Sequence, residues 1–195
     1  MGTNIEDVRA ALARIEPRSR ADVPDTRKAA VAAVFRDAGQ SADLLFIRRA
    51  AHPRDPWSGH MAFPGGRIDE TDASPLAAAI REAREELSLD LERDAVLMGR
   101  LSEARTHLRP GGVPRSVVPF AFELRTQPEL VPNGEVEEAL WVPLTFLADR
   151  ANRRAMTWIR DGIPLPMPCY RWEGRVIWGL TLRFIDELLG ALDPR

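Results

Sequence analysis

Arg81-Glu82-Ala83-Arg84-Glu85-Glu86-Leu87 is the stretch that decides how the chain reads. Set on a helical wheel at about 100° per residue with Arg81 at zero, Leu76, Ile80, Ala83 and Leu87 fall between roughly 200° and 260°. On the same wheel Glu85, Glu82 and Glu86 fall near 40°, 100° and 140°, so one face is apolar and the other holds three carboxylates. Ser74 is a good N-cap and Pro75 is tolerated in a first helical turn, so the helix is expected from Ser74 or Pro75 to about Leu87. The pairs Glu82/Glu85 and Glu82/Glu86 lie at spacings where like charges repel by about 0.2–0.5 kcal/mol each. Helix stability does not ask for that arrangement. A solvated face with Arg81 and Arg84 as partial counterions is one explanation. The other is a hard divalent cation such as Mg²⁺, which is held by carboxylates, waters and substrate phosphates. Gly65-Gly66, behind Phe63-Pro64, favours the second, because a glycine turn lets backbone groups approach a metal or a pyrophosphate closely.

Working outward, residues 50–66 hold three prolines and three glycines and read as a loop leading towards the acidic helix. Before it, Ala29 to Phe35 and Leu44 to Ile47 read as strands joined by the turn-rich Asp37–Asp43, a hairpin. After the helix, Val96 to Leu101, Val117 to Leu124 and Glu135 to Pro143 read as strands, the last following a turn at Pro132-Asn133-Gly134. Ile5, Val8, Leu12 and Ile15 predict an N-terminal helix or arm ended by Pro17. Ile177, Leu180, Phe184, Ile185, Leu188 and Leu189 predict an amphipathic C-terminal helix. Too few strands are followed by a helix long enough for a crossover, which argues for an α/β sandwich over a doubly wound parallel sheet. The domain reading is an N-terminal helix or arm over residues 1–28 and one domain over 29–195.

Composition bounds the partners. The 195 residues are 45% hydrophobic and 29% charged, which excludes a disordered chain, a coiled coil and a collagen-like repeat. Twenty-seven basic against 29 acidic residues leave a net charge of −2, so no overall basic field draws in nucleic acid or an anionic membrane. No apolar run approaches a membrane span and no signal-peptide pattern opens the chain, so the expected setting is the cytoplasm. Cys169 stands alone and reads as a small buried residue. No Gly-x-Gly-x-x-Gly or P-loop sequence is present, which counts against a nicotinamide enzyme or a P-loop kinase.

Gly66, Asp72 and Arg81-Glu82-Ala83-Arg84-Glu85-Glu86-Leu87-Ser88-Leu89 together resemble the signature box of the Nudix hydrolases. Three positions depart from that pattern. Asp72 stands where Glu is usual, eight residues rather than seven separate it from Arg81, and Ser88 replaces a glycine at the helix end. The first two departures recur in the coenzyme A pyrophosphatase branch of the family. That branch is also resembled by Leu45-Phe46-Ile47-Arg48-Arg49-Ala50, Arg54, Gly59 and Phe63-Pro64-Gly65-Gly66, although four residues rather than three separate Arg54 from Gly59. Val117–Phe120, Glu135-Val136, Pro143-Leu144 and Tyr170 through Thr181 extend the likeness over about residues 29–190.

The resemblance implies an α/β/α sandwich of Nudix type with a mixed central sheet, and a Mg²⁺- or Mn²⁺-dependent diphosphatase. The implied substrate is a small nucleotide, coenzyme A or an acyl derivative, and a homodimer is compatible with the fold. It assigns metal ligation to Glu82, Glu85, Glu86 and the carbonyl of Gly65, and an orienting role to Arg81. Glu82 is left as either ligand or general base. Glu135 is the first candidate for a base from a later loop, ahead of Glu137 and Glu138. Arg49, Arg54 and Arg67 flank the box and are candidates for the non-reacting phosphates, including a 3′-phosphate. His52, His60 and His107 show no zinc spacing. Trp57 and Trp178 could stack on a base, though packing is the commoner fate of Trp. The rival readings are a Nudix enzyme acting on ADP-ribose or a nucleotide sugar, and a non-catalytic nucleotide-binding module.

Overall fold

A computed structural model describes residues 2–21, 23–52, 58–106, 116–160 and 162–193. In chain order the elements are α1 (Ile5–Arg14), β1 (Lys28–Asp37), β2 (Ala42–Arg49), β3 (Met61–Ala62), β4 (Gly65–Arg67), α2 (Pro75–Leu87), α3 (Leu91–Asp94) and β5 (Ala95–Arg100). They continue with β6 (Ala104–Arg105), β7 (Ser116–Leu124), β8 (Val136–Pro143), α4 (Leu144–Ala148), β9 (Arg154–Arg160), β10 (Ile163–Trp172), β11 (Arg175–Trp178) and α5 (Gly179–Leu192).

β1 and β2 form the expected hairpin, with Phe35 opposite Leu44 and Asp37 opposite Ala42. The main sheet runs β3-β2-β1-β7-β5, with β8 on the far edge of β2, β4 on β1 and β6 on β7. β1 and β7 run parallel from Lys28/Ser116 to Phe35/Glu123, while the other pairings are antiparallel, so the sheet is mixed. β1 and β2 are buried on both faces, which explains their near-continuous apolar sequence. Phe35, Leu44 and Phe46 face one layer, where Ile5, Val8 and Leu12 of α1 and Leu182, Ile185 and Leu188 of α5 pack. Val34, Leu45 and Ile47 face the other, against Ala83 and Leu87 of α2 and Leu91 of α3. The result is an α/β/α sandwich. Helix α1 begins with a reciprocal cap, Asn4 Oδ1 accepting from the Asp7 N–H and the Asp7 carboxylate from the Asn4 N–H.

Two sequence expectations are corrected, and one part of the fold has no counterpart in the sequence reading. The 50–66 segment is not wholly irregular: β3 and β4 are short edge strands that pair with β2 and β1. Ile177 does not belong to the C-terminal helix; it lies in β11 opposite Tyr170, and the helix starts at Gly179. A strand residue directly before a helix joined the helical spacing by coincidence, and Gly179, at φ +67°, makes the turn between them. The hairpin β9–β10, which with β11 forms a second, three-stranded sheet, shows no strand pattern in the sequence. Pro164, Pro166 and Pro168 hid it, since proline is normally excluded from sheet interiors. Here they alternate along β10 before its pairing with β11 begins at Cys169, so their missing N–H groups are accommodated on the open edge.

Candidate active site

Helix α2 begins where the Ser74 side chain accepts from the Ala77 N–H, with Pro75 in the first turn. Burial of Ala79, Ala83 and Leu87 fixes its rotation. That rotation turns Glu82 and Glu86 towards β4 and leaves Glu85 outward, its side chain 55% exposed. Glu86 is 2% exposed, and its Oε2 accepts the N–H of Gly65 at 2.8 Å. Gly65 itself sits at φ +147°, where a side chain would strike the Ala30 carbonyl and Val31 of β1. Beside it, a Cβ on Gly66 would overlap the carboxyl group of Glu82. The two glycines therefore give the two carboxylates room against the sheet.

Arg81 ties the outer half together. Its Nε and Nη2 donate to the two oxygens of Asp72 at 3.0 Å, its Nη1 to Glu82 Oε1 and Glu85 Oε2 at 3.0 Å, and its Nη2 also to the Arg67 carbonyl at 3.0 Å. Hydrogen bonding to Arg81 holds the Asp72 carboxyl below the ordinary range, and the same pairing raises Arg81. Asp72 thus stands where it can fix the guanidinium, a role its position in the sequence did not reveal; the fork geometry needs the intervening loop to bring it back.

Glu82 is pushed up, chiefly by burial, with Arg81 pulling the other way and Glu85 and Glu135 adding repulsion. Glu86 is pushed up to about 8, again chiefly by burial; the Gly65 N–H and Arg49 oppose the shift, and Glu82 and Glu135 reinforce it. Arg49 Nη1 stands 4.0 Å from Glu86 Oε1. Glu135 reaches this neighbourhood because its loop docks on the end of α2: Val131 and Asn133 donate their N–H groups to the carbonyls of Leu87 and Glu86 at 2.9 Å, and the Ala50 N–H donates to the Glu135 carbonyl at 2.8 Å. The structure thus brings Arg81, Glu82, Glu86, Gly65, Arg49 and Glu135 to one place. Glu85 lies at its outer margin. Arg67 contributes its backbone carbonyl there, and its side chain is exposed. Arg54 lies outside the described residues. Glu137 and Glu138 are instead ion-paired with Arg48, and Glu138 also with Arg175.

Among the described residues no three His, Cys, Asp or Glu side chains form a closed cage for a metal ion. The donor set nevertheless suits one kind of cation. Two sheltered carboxylates that repel each other, next to a backbone turn without side chains, provide a few hard oxygen donors and leave room for water and substrate oxygens, as Mg²⁺ prefers. Histidine and thiol donors are absent from the set; the described histidines, His52 and His60, are not part of it.

A family model for the NUDIX domain matches residues 25–161. The chain is 38% identical over 107 residues to an uncharacterized protein of Schizosaccharomyces pombe, covering 53% of this chain and 32% of that one, so it spans about a third of that relative's length. To the uncharacterized Nudix hydrolase NudL of Yersinia pestis (strain Pestoides F) it is 32% identical over 151 residues, covering 74% of this chain and 70% of that one. In fold it is similar to the crystal structure of DR0079 from Deinococcus radiodurans, with a TM-score of 0.52 and 17% identity over 89% of this chain and 90% of that one.

Proposed function

The chain belongs to the NUDIX domain family, and on that premise we propose that it is a divalent-metal-dependent pyrophosphohydrolase acting on a nucleoside diphosphate derivative. The substrate we assign is coenzyme A or an acyl-coenzyme A, cleaved to 3′,5′-ADP and 4′-phosphopantetheine. The single observation that carries the hydrolase reading is the pair of sheltered carboxylates, Glu82 and Glu86, facing Gly65-Gly66. Their burial costs free energy that a helix face has no reason to bear and that a bound cation offsets. The coenzyme A assignment is supported by the segment from Leu45 to Gly66 and by the Asp72 and eight-residue spacing of the box.

The reaction is attack of water on one phosphorus of a P–O–P bridge, whose oxygens already repel a nucleophile. Mg²⁺ or Mn²⁺, when bound, neutralises those oxygens and lowers the pKa of a coordinated water. Glu82, Glu86 and the Gly65 carbonyl would hold the ion, with Glu85 as the outer carboxylate. Arg81 orients Glu82 and Glu85 through two hydrogen bonds from one nitrogen and is itself locked by Asp72. Glu135 is the candidate that takes the proton of the attacking water, and its loop is anchored to the last turn of α2. Arg49, 4.0 Å from Glu86, is our candidate for binding a phosphate oxygen.

A hydrolysis screen over coenzyme A, ADP-ribose, dinucleoside polyphosphates and nucleoside triphosphates, each with Mg²⁺ and with Mn²⁺, tests both levels. Preferred cleavage of coenzyme A is expected. ADP-ribose cut far faster would remove the coenzyme A assignment and keep the hydrolase. No cleavage of any P–O–P bond would remove the hydrolase and leave a nucleotide-binding module.

A further inference from the structure

The second sheet brings two tryptophans, Trp158 and Trp178, together beside His60, the residue that precedes β3. Trp178 ends β11 opposite Cys169, and Trp158 of β9 stands opposite Leu165. The Trp178 ring lies 5.1 Å from the His60 ring at an interplanar angle of 60°, and 5.7 Å from the Trp158 ring at 57°. All three are half-buried. Neighbouring rings inclined at about these angles make a wedge rather than a flat wall, a shape that takes a planar aromatic group with its face on one ring and its edge towards another.

The wedge is connected to the carboxylates by one short piece of backbone. The Arg49 N–H donates to the His60 carbonyl at 3.1 Å, the Gly59 N–H donates to the Arg49 carbonyl at 3.0 Å, and the Arg49 guanidinium reaches Glu86. Its position is fixed from the other side as well. Arg175 of β11 forks onto Glu138 of β8, with Nε to Oε1 at 2.8 Å and Nη2 to Oε2 at 2.5 Å, and Thr181 Oγ1 donates to the Met61 carbonyl at 3.3 Å. Near the tip of the hairpin that carries Trp158, Ile159 and Ile163 are 69% and 60% exposed, while Cys169 and Tyr170 at the other end of β10 are buried in the core. Trp158 supplies one wall of the wedge.

We propose that His60, Trp158 and Trp178 form the subsite on which the planar base of the nucleotide substrate stacks. The organic end is then read on the second sheet and the diphosphate on α2, with Arg49 spanning the two. This assignment rests on the reading of the chain as a nucleotide diphosphatase, and it deepens that reading by naming where the base is recognised.

The test is calorimetric titration of the full chain, in Mg²⁺, with α,β-methylene-ADP and with methylenediphosphonate, which share an uncleavable bridge and differ in the nucleoside. Trp178→Ala is expected to weaken the nucleotide by about five- to a hundredfold while methylenediphosphonate stays within about twofold, because base stacking acts on the nucleotide alone. Trp158→Ala is expected to act in the same direction. Trp178→Phe, which keeps a ring to stack on, should retain the affinity within about threefold. Equal losses for both ligands, unchanged nucleotide affinity in both alanine variants, no nucleotide binding by the wild type, or a Phe variant as weak as Ala would each overturn the proposal. The readout is binding and not turnover. A chain that shows this pattern and cleaves no substrate would therefore refute the hydrolase reading and leave the base subsite standing.

Discussion

Replacing Glu86 by Gln should change how the metal-free protein responds to pH. Glu86 is almost wholly buried and its pKa is pushed from an ordinary 4.5 up to about 8. Between those two values the folded chain holds a proton that the unfolded chain has released, so stability is fully present below about pH 4.5 and is lost as the pH rises towards 8. The slope is about 1.4 kcal/mol per pH unit, which gives roughly 2–3 kcal/mol between pH 5 and pH 7. For a domain of this size that is a fall of about 5–10 °C in Tm. Glutamine keeps the shape and can still accept the Gly65 N–H but cannot ionise, so Glu86→Gln should lack this component and exceed the wild type in Tm at pH 7. The assay is thermal unfolding of both proteins after chelation, at intervals from pH 5 to 8, read as the difference between the two curves. Saturating Mg²⁺ or Mn²⁺ should reverse the order, because the ion binds the folded carboxylate of the wild type. Curves that run parallel across the whole range, with no metal-dependent crossing, would refute the reasoning.

Gly66→Ala should leave the fold almost unchanged yet lower turnover by about 10²-fold, since the new methyl displaces the Glu82 carboxyl; steady-state kinetics beside circular dichroism check this. Ser88→Gly should raise stability by about 1 kcal/mol in chemical denaturation, because Ser88 closes α2 at φ 55°, a conformation glycine adopts without strain, and activity should not change. Asp72→Asn should cost about 1.5–3 kcal/mol of stability by weakening the fork on Arg81, and should lower kcat more than it raises KM, which parallel denaturation and kinetic measurements would show.

The acidic helix was legible because its apolar and charged residues separate at the helical period, and its cap at Ser74 falls where the side chain says it should. The β1–β2 hairpin was legible for a similar reason, since a turn-rich segment divides two apolar runs. Positions that depend on distant pairing were not. Asp72 and Arg81 meet only because a loop folds back across the start of α2, and no residue-level pattern encodes that return. Glu85 sits on the same helical face as its neighbours in projection, yet burial divides them: the sheet covers Glu86 and leaves Glu85 beside Arg81. The second sheet was missed because proline is a breaker in most strands, and only the open side of β10 makes three of them acceptable. His60 lies about a hundred residues before Trp158 and Trp178, and their meeting depends on the second sheet.

The alternating prolines of β10 also govern how copies of the chain behave when crowded together. A projecting ribbon with greasy tips is a standing invitation for another ribbon to zip alongside it and seed a fibre. Pro164, Pro166 and Pro168 withhold the amide hydrogens such zipping would need along the free side of β10, which leaves the outer side of β9 as the edge that still offers them.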